Sequence, residues 1–525
     1  MQRIPDRAVA LAGSPAAIIR DVRSLYRARR IRTLGHPSTS DWILVDDRHV
    51  QRVGSGEPPP ADRVVDLPGA TVIPGFIDAH VHLTGTGLSL GDEDVRLARS
   101  APDLLAIARR RCEEEGDLTL LGGFDETRWG DPRLPTLEEL DAVSARPLVI
   151  RRVDGHVALA NAAALRAADV LTLPGAERDS RGNPTGRVTQ EANARLGWWS
   201  MLRIPEQTVQ ELQLRAAAVA ASRGITTVHE MSMPHEHGLR DLEIFLAHRD
   251  RLPVDSTVLV ATMDIPQVMD LRLSSIGGDL PIDGSIGART AALFAPYADG
   301  DHDGIAYYSD EELVQFFQGG HHAGLQVGVH AIGDRGIDQI LSAWEQVYAA
   351  LDSRGKRHFR ARRHRAEHFE MVSGDQVERA AMLGLAISVQ PAFDATWGAP
   401  GGLYEIGLGP QRALTMNPFR SMLDRGLELG AGSDAPVTPL DPMAGIDAFE
   451  RHHEVAQRLS RAEAVHVWTT GSARLAHHED KKGVLEPGMH ADFAAYDADP
   501  MEALEELAGL RPVLTVSLGR DVYVA

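Results

Sequence analysis

The chain has 525 residues, of which 43% are hydrophobic and 24% charged, ordinary globular values with ample material for a core. At about 150 residues per domain this predicts roughly three domains, or one large barrel with a smaller partner. A formal net charge of −20 argues against nucleic-acid binding, and a single cysteine, Cys112, excludes internal disulfides and any cysteine-based zinc cluster. No apolar run approaches the ~18 residues of a membrane helix. The short apolar patch Ala8–Ile19 is broken by Ser14 and Pro15, and no apolar stretch follows Arg29–Arg30, so the expectation is a cytoplasmic protein without a membrane partner.

In chain order, residues 1–40 carry no readable pattern. Residues 41–73 read as short strands joined by Gly/Pro-rich turns. Strands are then predicted at Thr71–His82, Leu118–Gly122, Pro147–Val153, Ile225–Glu230, Val254–Ala261, Leu325–Ala331, Arg363–Phe369, Leu385–Gln390 and Leu427–Ser433. Helical periodicity falls between many of them, at Glu206–Arg223, Asp310–Ala323, Gly336–Leu351 and Asp375–Leu383. This alternation points to an α/β chain with a parallel sheet closed as a (β/α)8 TIM-like barrel over 74–483. Residues 484–525 repeat the texture of 41–73, so both ends are expected to form one small β-sandwich. The Gly/Pro segment Ala399–Pro410 reads as a loop over the barrel mouth.

Chemistry is concentrated at strand ends. The run Val72-Ile73-Pro74-Gly75-Phe76-Ile77-Asp78-Ala79-His80-Val81-His82 enters as a strand and ends in two histidines. Positions i and i+2 of a strand share a face, so His80 and His82 converge. Neutral imidazoles converging at the C-terminal end of a barrel strand suit a divalent metal. His330 follows the apolar strand before Ala331, His368 ends another, and Asp434 follows Ala431-Gly432-Ser433. A lone strand-end histidine is as often structural, but several arriving at successive strand ends describe a metal site.

With these residues in hand, the chain resembles the amidohydrolase superfamily, and within it the YtcJ-like branch of metal-dependent hydrolases (amidohydrolase family 3). The matching pieces are PGFIDAHVHL, DGH with the later NPTG, GITTVHE, DGSIGARTAAL followed by PY, VHAIGDRGID, RAEHFE, SVQPAF, GSDAPV and GVLEPGMHADFAAYD, in that order from about residue 64 onward. The resemblance implies a (β/α)8 barrel with a β-sandwich from both termini. It also implies His80, His82, His330, His368 and Asp434 as the metal-site residues.

One departure bears on the metal count. Members of this branch carry a lysine four residues before the DGS aspartate, and here that position is Asp279. The only lysines are Lys356, Lys481 and Lys482, none of them near a strand end of the site, so a carbamate-bridged pair of metals is excluded by inventory. Two readings remain. In the preferred one, a single Zn²⁺ is held by His80, His82, His330 and Asp434, with His368 beside the water. In the other, a carboxylate such as Asp279, Glu191 or Glu230 replaces the bridge between two metals; a divalent metal other than zinc is compatible with either. Zinc lowers the pKa of bound water to about 7, and Asp434 would accept that proton and pass it to the departing nitrogen.

His156, Asp283, Arg289 and Gln390 are candidates for contacting substrate; helix capping is the equal alternative for His156, and an internal ion pair is the favoured reading of Asp283 and Arg289. His235-Glu236-His237 is a second HxH without a strand leading into it and reads as a loop. The pairs His321–His322, His452–His453 and His477–His478 read as surface helix residues, and Arg360–Arg365 as a basic cluster. The functional expectation is hydrolysis of a non-peptide C–N bond (amide, N-acyl or N-formyl) in a small molecule. The alternatives are a deaminase of the same superfamily and a non-catalytic barrel scaffold. A homodimer is the expected oligomer.

Overall fold

One glycine divides the apolar run expected as a single strand at Thr71–His82. Strand Arg63–Pro74 stops before Gly75 and strand Phe76–Val81 starts after it. A Cβ at Gly75 would fall 2.2 Å from Thr226 Cγ2, so this close approach admits only glycine. The first strand belongs to a sheet made from the chain ends and the second to the set that carries the site. The computed structural model describes residues 23–91, 93–113, 116–153, 155–234, 238–503 and 507–525; the second HxH, at His235 and His237, lies outside them.

The sheet of the chain ends has seven strands in the order Arg520–Val524, Pro512–Ser517, Phe493–Tyr496, Arg63–Pro74, Ser24–Arg32, Thr39–Asp46 and His49–Gly54. Tyr26, Ile43, Val45, Phe493 and Val516 form its core. Strand Ser24–Arg32 falls in the stretch that showed no pattern, which corrects the expected boundary at residue 40. Its arginine-rich solvent face hid the alternation: Arg27 pairs with Asp66, and Arg30 and Arg32 pair with Asp499.

Eight parallel strands follow in two runs. Phe76–Val81, Ile225–Ser232 and Asp255–Val260 make one; Ser275–Ile276, Gln326–Ala331, Arg365–His368, Ala386–Val389 and Glu428–Ala431 make the other. The runs touch at both ends. Gly277 N–H donates to Val260 O at 2.7 Å, His82 N–H donates to Ala435 O at 2.9 Å, and Asp434 N–H donates to His80 O at 2.8 Å. Most strands of both runs are buried on both faces, as parallel sheets covered by helices are. Covering helices start where the sequence predicts. Asp310–His322 opens with a capping box between Ser309 and Glu312, and Gly374–Leu383 opens with one between Ser373 and Gln376.

Two predicted strands go elsewhere. Thr119–Phe124 and Leu148–Arg152 pair with each other, and the chain then reverses, Arg152 N–H donating to Val157 O at 2.8 Å. That tight turn forces an antiparallel return through Ala158–Ala160, giving a separate five-stranded sheet inserted before Ile225–Ser232. The segment expected as a mouth loop at Ala399–Pro410 instead contains the short helix Leu403–Leu408. His452 is fully buried and clustered with His453 and Asp394, so it does not belong to the surface set expected for it; Arg365, at the end of the basic cluster, is also fully buried. No helix of the described residues is long and apolar enough to cross a membrane.

Lys482 ties the two parts of the chain together. Its buried Nζ donates to Thr227 Oγ1 at 2.9 Å and Asp492 Oδ2 at 2.7 Å and pairs with Asp255 Oδ2 at 3.0 Å. Removing one partner of a buried pair strands the other charge, which costs about 3–5 kcal/mol. Lys482→Met is therefore expected to lower unfolding stability by about that amount in chemical denaturation; a loss below about 1 kcal/mol would show that the pair is not holding the parts together.

Candidate active site

The parallel strands all end on one side, and several of them deliver a polar residue there. His80 and His82 close Phe76–Val81, His330 lies near the end of Gln326–Ala331, His368 ends Arg365–His368, and Asp434 follows Glu428–Ala431. Gly432 permits the last approach, since a Cβ there would lie 2.5 Å from His80 N. Asp279 follows the two-residue strand Ser275–Ile276 and stands at the centre. Its Oδ1 is 3.2 Å from His330 Nδ1, 3.2 Å from His368 Nε2 and 3.7 Å from His80 Nε2; its Oδ2 is 3.3 Å from His82 Nε2. Asp434 Oδ1 stands 3.2 Å from His82 Nε2 and 3.5 Å from His80 Nε2.

These atoms fit a divalent cation. His80 with His82 and Asp279, Asp279 with His330 and His368, and His80 with His368 and Asp434 each bring three donor atoms within 4.8 Å of one another. His80 Nε2 and Asp434 Oδ1 are buried and make no hydrogen bond, although buried polar atoms otherwise find partners. The electrostatics say the same. Burial favours neutral imidazole, yet Asp434 and Asp279 push His80 up to about 10, and the same two carboxylates raise His82 well above its ordinary value. Burial would raise Asp279, but the histidines around it hold its carboxyl well below the usual range. Two carboxylates among imidazoles at this spacing attract positive charge, and nitrogen and oxygen donors of this kind suit zinc and its neighbours.

The other ring nitrogens are fixed from behind. His82 Nδ1 lies 2.9 Å from Met231 O, His368 Nδ1 lies 2.8 Å from Gln390 Oε1, and His80 Nδ1 lies 3.0 Å from Glu367 Oε2. Glu367 is itself clamped by Arg365, whose Nε and Nη2 donate to its two oxygens at 2.8 and 2.9 Å. Burial would raise Glu367, but Arg365 and His80 bring it down to about 2. Sequence reasoning missed Glu367. The available signal was an Arg-x-Glu spacing on a strand otherwise buried in apolar surroundings, where paired charge needs a purpose.

The remaining candidates divide. His156 lines the cavity above the site, its ring centre 5.8 Å from that of His330. Glu191 also lines the cavity but joins none of the metal-competent groups among the described residues. Glu230 turns its Oε2 to Leu83 N–H at 2.8 Å, and burial pushes it up to about 8. Three other candidates have these surroundings. Asp283 is fully buried and accepts three backbone N–H groups, from Ala292, Ile332 and Gly333. Arg289 pairs with Asp299 at 2.7 Å. Gln390 Oε1 lies 2.8 Å from His368 Nδ1, while its Nε2 is buried without a hydrogen-bond partner among the described residues.

The cavity has a volume of about 640 Å³, with His82, Asp279, His330, His368 and Asp434 at its floor. A carboxylate-centred cluster of histidines at the ends of parallel strands, open to a cavity, defines a metal-dependent hydrolase site. The comparisons with known proteins agree. The amidohydrolase family model matches residues 63–523, and the chain belongs to that family and is a hydrolase acting on carbon–nitrogen bonds. It is 27% identical to YtcJ of Bacillus subtilis (strain 168), across 92% of this chain and 96% of that one. It is 25% identical to N-substituted formamide deformylase of Arthrobacter pascens, across 90% and 94%. Among solved structures, an uncharacterized metal-dependent hydrolase from Pyrococcus horikoshii OT3 superimposes with a TM-score of 0.74 at 26% identity, across 93% and 99%.

Carboxylates behind a ligating histidine set its tautomer, and losing one typically costs 10–100-fold, at the level of about 1–3 kcal/mol, in metal affinity. Glu367→Gln is expected to weaken zinc binding in equilibrium dialysis by about 10–100-fold. Native affinity in that variant would mean that His80 needs no such support.

Proposed function

We propose that this amidohydrolase cleaves an exocyclic amide, N-acyl or N-formyl bond of a small molecule, and that two divalent cations, zinc by preference, would be held at this site, one by His80, His82 and Asp279 and the other by Asp279, His330 and His368. The observation that carries the two-metal reading is that Asp279 belongs both to the group with His80 and His82 and to the group with His330 and His368. This reverses the single-metal preference drawn from sequence, which had no means of seeing that one side chain faces both pairs. The relative named for N-substituted formamides supports the N-formyl or N-acyl choice. We further read the eight parallel strands as a closed (β/α)8 barrel, supported by the hydrogen bonds joining the two runs at both ends, with the chain ends forming its companion β domain.

A divalent cation in this seat supplies Lewis acidity, polarising a carbonyl and acidifying water. The protein's own side chains do the rest. Asp434 takes the proton of the attacking water on its carboxylate and returns it to the leaving nitrogen, which cannot depart as an anion. Its backbone is held for this by the bond from Asp434 N–H to His80 O. His156 is the side chain we assign to the substrate carbonyl, and the floor histidines keep the reacting group against Asp434.

The test is product analysis on N-acyl and N-formyl amines with metal-loaded protein. Carboxylate and free amine in equal amounts are expected, with Asp434→Asn lowering kcat by about 10²–10⁴-fold. Ammonia released from an amidine substrate, with no carboxylate from any amide, would favour the deaminase alternative.

A further inference from the structure

The cavity is far larger than the reacting group needs. An amide bond occupies a few atoms at the floor, whereas a cavity of about 640 Å³ falls in the range that encloses drug-sized molecules. Its walls are not evenly built. On one side, helix Pro391–Trp397 presents an aromatic series rising from the floor: the Phe393 ring lies parallel to that of His368, centres 6.0 Å apart and planes 11° apart, and Trp397 follows at 4.8 Å from Phe393. Other lining comes from the aliphatic side chains Leu88, Met201, Ile204 and Leu212. Phe393 is buried and Trp397 half-buried, so the exposed aromatic face lies one ring further out than the floor.

This aromatic wall is anchored. Asp394 accepts from His453 N–H at 2.9 Å and contacts the rings of His452 and His453, fixing the helix that carries Phe393 and Trp397. Tyr404, whose ring centre is 6.3 Å from that of Trp397, donates its hydroxyl to the buried Glu370 at 2.5 Å and accepts from Asn417 Nδ2 at 3.3 Å. A preorganised apolar slot of this kind recovers binding from a rigid ring without the ordering cost of a mobile lid.

We propose that the substrate is an amide bearing a bulky, ring-containing apolar group, on its acyl or its nitrogen side, seated against Phe393 and Trp397. The inference rests on the amide-hydrolysis reading above and names the substrate class for it.

The probes are N-methylacetamide, N-(1-naphthylmethyl)acetamide and N-methyl-1-naphthylacetamide, the last two placing the ring on opposite sides of the bond. Calorimetric Kd and kcat/KM are measured on metal-loaded native protein and Trp397→Ala, with Trp397→Leu as the second variant should the alanine form fail to fold. At least one naphthyl probe is expected to bind about 10–100-fold better than N-methylacetamide, the range open to apolar pocket contacts, and both variants should shrink that ratio. Equal affinity for all three probes, or a ratio untouched by both variants, would overturn the proposal. Tight naphthyl binding without turnover would uphold the slot and count against amide hydrolysis. Turnover of all amides with no ring preference would do the reverse.

Discussion

Asp279 stands among four imidazoles, and much of the structure around it holds that arrangement. A buried carboxylate is costly unless matched by positive charge or strong hydrogen bonds. Here the four histidines arrive on three strand ends, His80 and His82 together on one, and parallel strands ending on one side bring them to a common point. Behind them, Glu367, Gln390 and the Met231 carbonyl hold the rings in register. Arg365 then balances Glu367 in a place that water does not reach. The charge accounting thus runs from Asp279 through His80 and Glu367 to Arg365, a continuous polar column inside an apolar core.

The same constraint explains how an inventory of three lysines is compatible with a metal-dependent hydrolase. A carboxylate is shorter than a carbamylated lysine and comes already ionised. Asp279 sits after a strand of only two residues, and the backbone around it makes close contact, as at Gly277 N–H to Val260 O. Lys482 is employed elsewhere, neutralising Asp492 and Asp255 where the chain-end sheet meets the strands.

Much of this was legible in the sequence. Seven of the eight strands that carry the site overlap runs read as strands in the sequence, and His80, His82, His330, His368 and Asp434 lie at or near the ends of those runs, whereas the two-residue strand Ser275–Ile276 was not among them. Asp279 was visible as an acid where a lysine is expected, but its facing both histidine pairs is a matter of three-dimensional approach that spacing does not encode. The inserted sheet escaped because Thr119–Phe124 and Leu148–Arg152 have the same composition as barrel strands; only the reversal at Arg152 and Val157 separates them. An internal ion pair was the favoured reading of Asp283 and Arg289; Arg289 makes one with Asp299, while Asp283 accepts backbone N–H groups. Gln390 lies beside the site with its Oε1 against His368 Nδ1.

The central claim is that Asp279 joins two cation positions. It is tested most directly by metal content per chain, measured on native protein and on Asp279→Ala after identical loading with zinc and dialysis. Two zinc ions per native chain and a loss of at least one in the variant, with the fold retained by circular dichroism, is the predicted result. One zinc per chain in both proteins would contradict it and return the site to a single cation held without Asp279.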